Sequence, residues 1–240
     1  MPEALMNVKD VATYLNLSER TIYSLIKHGN IPFLRAGGQY RFDRERVDKW
    51  LQQTSGAKPE LDLDKVKKTA DPLTKRLLFM GLLTRELGPE KVKPIIVGGN
   101  AVEFYTAGGY ATQDIDVVAP SEPIDRVLKS WGFLKEGRHW ISEELGIVIE
   151  APAYSLDKEE QYEKLYEVEI EDLYVYILGI EDLIVDRLNA YVHWKSLDDR
   201  IWARELMVLH AKEIDWDYLK KRAKEEEVDT ALAKLKKALK

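Results

Sequence analysis

The chain has 240 residues, 45% of them hydrophobic and 32% charged, with a formal net charge of −6. That balance excludes fibrous and disordered classes and suits one or two domains with buried cores. The absence of Cys excludes disulfides, thiolate zinc sites and a cysteine nucleophile. No apolar run approaches the ~18–20 residues that span a bilayer. The N-terminus lacks the basic-then-apolar order of a signal peptide, so a cytoplasmic protein with no membrane partner is expected.

The charge is unevenly spread. Residues 1–55 carry eight basic against six acidic side chains, and the remainder is strongly acidic. The sign changes at QQTSGAKPELDLD, where Ser55, Gly56 and Pro59 show no apolar periodicity. The expected organisation is a first domain over 1–55, a linker over 56–69 and a second domain over 70–240. The Lys/Glu/Ala/Leu-rich end, Lys220 to Lys240, is expected as a solvated terminal helix.

In the first domain, Val8, Val11, Ala12 and Leu15 share one face of a short helix. Ser18 is placed to cap a second helix with Ile22, Leu25 and Ile26 on one face, ending at His28-Gly29-Asn30. Residues 32–35 and 40–42 alternate like strands around the turn Ala36-Gly37-Gly38-Gln39. Asp43 can cap a third helix carrying Val47, Trp50 and Leu51. This order of helix, turn, helix, β-wing, helix resembles the excisionase-like (MerR-type) winged helix-turn-helix family over nearly all of residues 7–51. The resemblance implies double-stranded DNA as partner, with the second helix in the major groove. Its polar face offers Ser18, Arg20, Thr21, Tyr23 and Lys27, while Arg35 and Arg41 flank the wing turn as phosphate clamps. Phosphate neutralisation sets affinity, so a domain charge of only +2 implies a homodimer or help from elsewhere.

The second domain opens with helical patterns near Leu61–Lys68 and Leu73–Leu87. Ile95-Ile96-Val97 is then a buried strand, Gly98-Gly99 a turn, and Asn100 the start of a helix. Asp114-Ile115-Asp116-Val117-Val118 is a strand with both carboxylates on one face. Such a pair repels unless a hard divalent cation neutralises it, and glycines before a helix let phosphate approach backbone N–H groups. Gly146 to Glu150 is a further strand ending in a carboxylate. Tyr166 to Ile170 and Leu173 to Leu178 form a hairpin, and Gly179 precedes a helix bearing Leu183, Arg187 and Ala190 on one face. The four His residues (His28, His139, His193, His210) have no ligand spacing, which argues against a His metal site. The tryptophans are read mainly as core.

Val97-Gly98-Gly99 followed by Thr112-x-Asp114-Ile115-Asp116 resembles the nucleotidyltransferase (polymerase-β-like) signature, in the form found in the AbiEii and MNT groups of toxin–antitoxin systems. The resemblance implies an α+β protein whose second domain has a mixed sheet and C-terminal helices. It implies Asp114, Asp116 and Glu150 as catalytic carboxylates and ligands of Mg²⁺ or Mn²⁺. The NTP would lie on Gly98, Gly99, Asn100 and Thr112, with Arg187 and more weakly Lys195 on its phosphates. The implied activity is transfer of a nucleoside monophosphate from an NTP to a hydroxyl of a protein, a tRNA end or a small molecule, in a toxin–antitoxin or defence setting. The alternative is a transcription regulator or antitoxin whose second domain is inactive and serves dimerisation or nucleotide sensing. A mobile-element excision accessory factor is a third possibility.

Overall fold

The computed structural model describes residues 5–27, 31–36, 39–54 and 63–238. The expected cap at residues 28–30, the wing glycines Gly37 and Gly38, and residues 56–62 of the expected linker lie outside them. The chain divides into two compact units, Met1–Leu61 and Asp62–Lys240.

The first unit runs α1 (Val8–Leu15), α2 (Glu19–Lys27), β1 (Leu34–Ala36), β2 (Gln39–Arg41) and α3 (Arg44–Thr54). Asn7 opens α1 through a capping box with Asp10, and Asn16 closes it in the left-handed region. The Ser18 hydroxyl accepts from the Thr21 N–H at 3.1 Å, and Asp43 caps α3 by accepting from the Arg46 N–H at 3.0 Å. The apolar faces converge on a core of Val8, Val11, Ala12, Ile22, Ile26, Ile31, Phe42 and Val47. One feature is absent from the sequence pattern: Met6 pairs with Phe42 through two backbone bonds of 2.9 Å, tying the N-terminal segment to the wing.

The second unit opens with α4 (Leu63–Lys68) and α5 (Pro72–Leu87). Val66 of α4 is 1% exposed within the main core, so the stretch expected as linker to residue 69 belongs structurally to this unit from Leu63 onward. Asp71 caps α5, with Pro72 in the first turn where no N–H is needed. There follow β3 (Ile95–Ile96), α6 (Gly98–Tyr105), β4 (Asp114–Val118), α7 (Ser121–Ser130), β5 (Leu134–Glu136), β6 (His139–Ser142) and β7 (Ile147–Ala153). Then come α8 (Glu159–Glu163), β8 (Tyr166–Ile170), β9 (Leu173–Ile177), α9 (Ile180–Trp194), α10 (Leu197–Leu209), α11 (Trp216–Glu225) and α12 (Asp229–Lys237).

Among the described residues, seven strands form one mixed sheet in the order β5-β6-β7-β4-β3-β9-β8. β4 runs parallel to β7 and β3 parallel to β9, while the other pairs are antiparallel. The sheet buries Ile115, Val117, Trp140 and Ile149 in the main core. Strand β7 continues through Ala151-Pro152-Ala153, past the Glu150 at which its apolar pattern stops. The α+β architecture with a mixed sheet and C-terminal helices is as expected.

Two further expectations change. The C-terminal stretch is two helices rather than one solvated helix, because Leu219, Arg222, Ala223, Val228, Leu232 and Leu235 are buried. Trp140 is core at 2% exposed, but Trp194 is 79% exposed.

Inside the helical region Asp182 of α9 accepts from Arg222 Nε at 2.8 Å, Gln161 Nε2 at 3.1 Å and the Tyr218 hydroxyl at 2.8 Å. Removing one partner of a buried charge pair strands the other. Arg222→Ala is therefore expected to cost about 3 kcal/mol in urea unfolding. The double variant Arg222→Ala with Asp182→Asn should lose less than the sum of the two single changes.

Candidate active site

The site is built from sheet register. Alternation along β4 buries Ile115 and Val117 and turns Asp114 and Asp116 to the opposite face. The parallel register places Asp116 beside Glu150 of β7, and the antiparallel register places Glu150 beside His139 of β6. Directly paired residues share a sheet face, so these four side chains form one polar patch. Ligand atoms of Asp114, His139 and Glu150 all lie within 4.8 Å of one another. Glu150 is 8% exposed and meets His139 Nε2 and Arg138 Nε, each at 3.2 Å. The absence of ligand spacing among the histidines is thus corrected for His139, which strand pairing rather than sequence proximity brings to the acids.

Asp116 faces a different neighbour. Its carboxylate leans on Gly98, where a Cβ would fall 2.2 Å from Oδ2, and Gly98 has a φ of +58°. Only glycine suits both conditions. The Gly99 N–H donates to the same carboxylate. Burial, then repulsion from Asp114 and Glu150, push the Asp116 carboxyl up to about 6, against the Gly99 N–H and the Arg187 charge.

The flanking residues hold the acids in place. The Thr112 hydroxyl donates to Asp114 Oδ1 at 3.0 Å. Asn100, expected to touch nucleotide, is 2% exposed and donates its Nδ2–H to the Asp114 carbonyl at 2.8 Å, so it fastens α6 to β4 instead.

Next to Gly98 and Asp116 lies a cleft of about 340 Å³, lined also by Ser155, Gln161, Asp186, Arg187 and Asn189. Arg187 donates to Asp199 Oδ1 at 2.8 Å and to Asp186 Oδ2 at 2.5 Å. Burial opposes its charge, yet the two aspartates more than offset this and hold its pKa above the ordinary arginine value. Its buried Nε has no hydrogen-bond partner among the described residues. Ser196 caps α10, accepting from the Asp199 N–H. Lys195 is corrected: it ends α9, donates to the Val192 carbonyl at 2.8 Å and lines a separate cleft with Glu227 and Lys234.

In the first unit Arg20 is exposed on α2, and Tyr23 is 50% exposed, its ring centre 6.2 Å from that of Tyr40 in an edge-to-face arrangement. Arg35 lies over the Tyr40 ring and donates to its hydroxyl at 3.0 Å, while Arg41 donates to Gln39 Oε1 at 2.6 Å. Ser18 and Thr21 bond each other as part of the cap. The side chain of Lys27 lies outside the described residues.

Residues 5–55 match the model of a helix-turn-helix domain, and residues 80–238 match that of a nucleotidyltransferase of unknown function (DUF6036). The chain belongs to this nucleotidyltransferase family. Its helix-turn-helix unit precedes the nucleotidyltransferase unit. Among solved structures it is similar to an antigenic nucleotidyltransferase-like protein from Paracoccidioides brasiliensis, at 16% identity over 71% of this chain and 93% of that one, with a TM-score of 0.48. It is also similar to the antibiotic-resistance factor ANT(2'')-Ia in solution, at 15% identity over 68% and 93% of the chains, with a TM-score of 0.42. A crystal structure of ANT(2'')-Ia with adenylyl-2''-tobramycin matches at 14% identity over 69% and 99%, with a TM-score of 0.40. No curated protein matches the sequence. Among the described residues, no helix is long and apolar enough to cross a membrane.

A carboxyl raised to about 6 in the fold, against about 3.9 unfolded, destabilises the metal-free protein at neutral pH and ceases to do so as pH falls. Asp116→Asn keeps an acceptor for the Gly99 N–H and removes the charge. It should raise the melting temperature of the metal-free protein by a few degrees at about pH 8, and by roughly half as much at about pH 5.

Proposed function

We propose that this chain binds double-stranded DNA through its first unit and, through its second, transfers a nucleoside monophosphate from an NTP to a hydroxyl acceptor. The observation that carries the proposal is the patch of Asp114, Asp116 and Glu150 on adjoining strands, with Asp116 seated on the Gly98-Gly99 turn. Its donor set is oxygen-rich and mutually repelling, which fits a hard divalent cation such as Mg²⁺ or Mn²⁺. When bound, the cation supplies charge that offsets the carboxylates and the triphosphate.

The chain's residues divide the remaining work. Gly98, Gly99 and the first turn of α6 cradle the triphosphate with backbone N–H groups. Arg187, at the cleft wall, attracts the phosphates and the departing pyrophosphate. The acceptor oxygen bonds to the α-phosphorus, the bond from that phosphorus to the bridging oxygen breaks, and pyrophosphate leaves with the electron pair. The hydroxyl proton passes to a carboxylate of the patch, with Glu150 as acceptor. A protein side chain, a tRNA end or a small molecule can supply the hydroxyl. We place the activity in a toxin–antitoxin or defence setting, where the helix-turn-helix unit ties it to an operator.

A nucleotide-sensing regulator without turnover is the second proposal, favoured by the way Asp186 and Asp199 already occupy Arg187. Incubating the purified chain with labelled ATP, GTP, CTP or UTP, Mg²⁺ and cell lysate separates the two. Label transfer that Asp116→Ala lowers by at least about a thousandfold is the expected result. Nucleotide binding with no transfer to any acceptor identifies the sensor. On DNA, Arg20→Ala should weaken binding and reduce the slope of log affinity against log salt by about one. An unchanged slope and affinity would remove Arg20 from the phosphate interface.

A further inference from the structure

We propose that the cation site includes His139, whose nitrogen joins the carboxylates in a mixed donor set preferring a transition-metal dication to Mg²⁺. The inference rests on the nucleotidyltransferase function proposed above and specifies which metal serves it.

Three observations carry it. First, ligand atoms of Asp114, His139 and Glu150 fall within 4.8 Å of one another, whereas the Asp116 carboxylate is drawn onto Gly98. Second, His139 Nε2 and Glu150 Oε2 stand 3.2 Å apart. Two donors on one ion with ~2.1 Å bonds stand roughly 3.0 Å apart at a right angle and roughly 3.4 Å apart in a tetrahedron. A charge-assisted N–H···O⁻ bond is shorter, at about 2.7–2.9 Å. The observed 3.2 Å separation falls between the two spacings that a shared ion requires. Third, the positions are preset. His139 is the direct register partner of Glu150, and the Thr112 hydroxyl holds one oxygen of Asp114. Outer bonds of that kind orient metal ligands.

Access is also provided. The His139 side chain is 34% exposed, and Arg138, the other partner of Glu150, is 75% exposed and can swing into solvent. Imidazole nitrogen adds affinity for first-row transition ions, while Mg²⁺ takes oxygen donors and surrenders its waters reluctantly. A carboxylate-only patch would lack this preference.

Mn²⁺ is the probe, bound to the full chain and read by pulsed electron paramagnetic resonance. The wild-type complex is expected to show nitrogen modulation from a directly bound imidazole. His139→Gln should lose that modulation and bind Mn²⁺ at least about tenfold more weakly, while Mg²⁺ affinity, measured by competition, changes by less than about threefold. His210→Gln should keep the modulation. Labelling histidine with ¹⁵N changes the wild-type signal without any substitution, so the test survives a variant that folds poorly. Mn²⁺ bound without imidazole nitrogen, or modulation that persists in His139→Gln, overturns the role of His139 and leaves the nucleotidyltransferase function standing. Mn²⁺ affinity unchanged by the pair Asp114→Asn and Glu150→Gln overturns the carboxylate site itself.

Discussion

The contact between the first residue of α6 and the second acid of β4 constrains everything else in the second unit. At Gly98 a methyl group would collide with the Asp116 carboxylate, and the backbone is already left-handed. The Val97 N–H donates to the Asp116 carbonyl at 3.0 Å, and Asn100 fastens the same helix to Asp114. The turn proposed to meet phosphate and the strand that carries the acids are thus locked together before any ligand arrives. Groups fixed in advance need no rearrangement at the moment of reaction, which is where positioning and electrostatic catalysis draw their advantage.

The same contact concentrates charge. Asp116 is half-buried beside Asp114 and Glu150, and the fold tolerates this through the Gly99 N–H and the more distant Arg187. Arg187 is in turn held by Asp186 and Asp199, and its helix α9 is tied to α11 by the Asp182–Arg222 pair, which lines the same cleft. A run of charge compensation therefore extends from the sheet to the C-terminal helices. Arg222 reads as one more residue of a charged surface in the sequence, yet it is 3% exposed.

Much of this was legible in the residues alone. Strand β4 matches its predicted span because alternation and the flanking turns agree, and the β8–β9 hairpin and the wing follow for the same reason. The Gly-Gly turn and the acids of β4 carry a local signature. Other features were illegible because pairing, not local pattern, creates them. Strands β5 and β6 are short, and only one of two alternating faces of β6 is buried, so His139 gave no sign of lying beside Glu150. Lys195 follows Arg187 in a basic, aromatic stretch, but eight residues of helix carry it away to another cleft. Asn100 stands at the right place for a ligand contact, and only the depth of its burial reveals that backbone has claimed it.

The parallel alignment of β4 with β7 has a bearing on how this sequence can vary. Asp116 meets Glu150 only in one frame, and inserting or deleting a single residue within either strand would invert its two faces, sending carboxylates inward and isoleucines to water. The excursion through α7, β5 and β6 that joins them bears no such restriction at its turns, whose lengthening costs only slowly growing closure entropy. Length differences among relatives should accordingly collect at the bends around Gly132 and Gly137 and spare the segments 114–118 and 147–150.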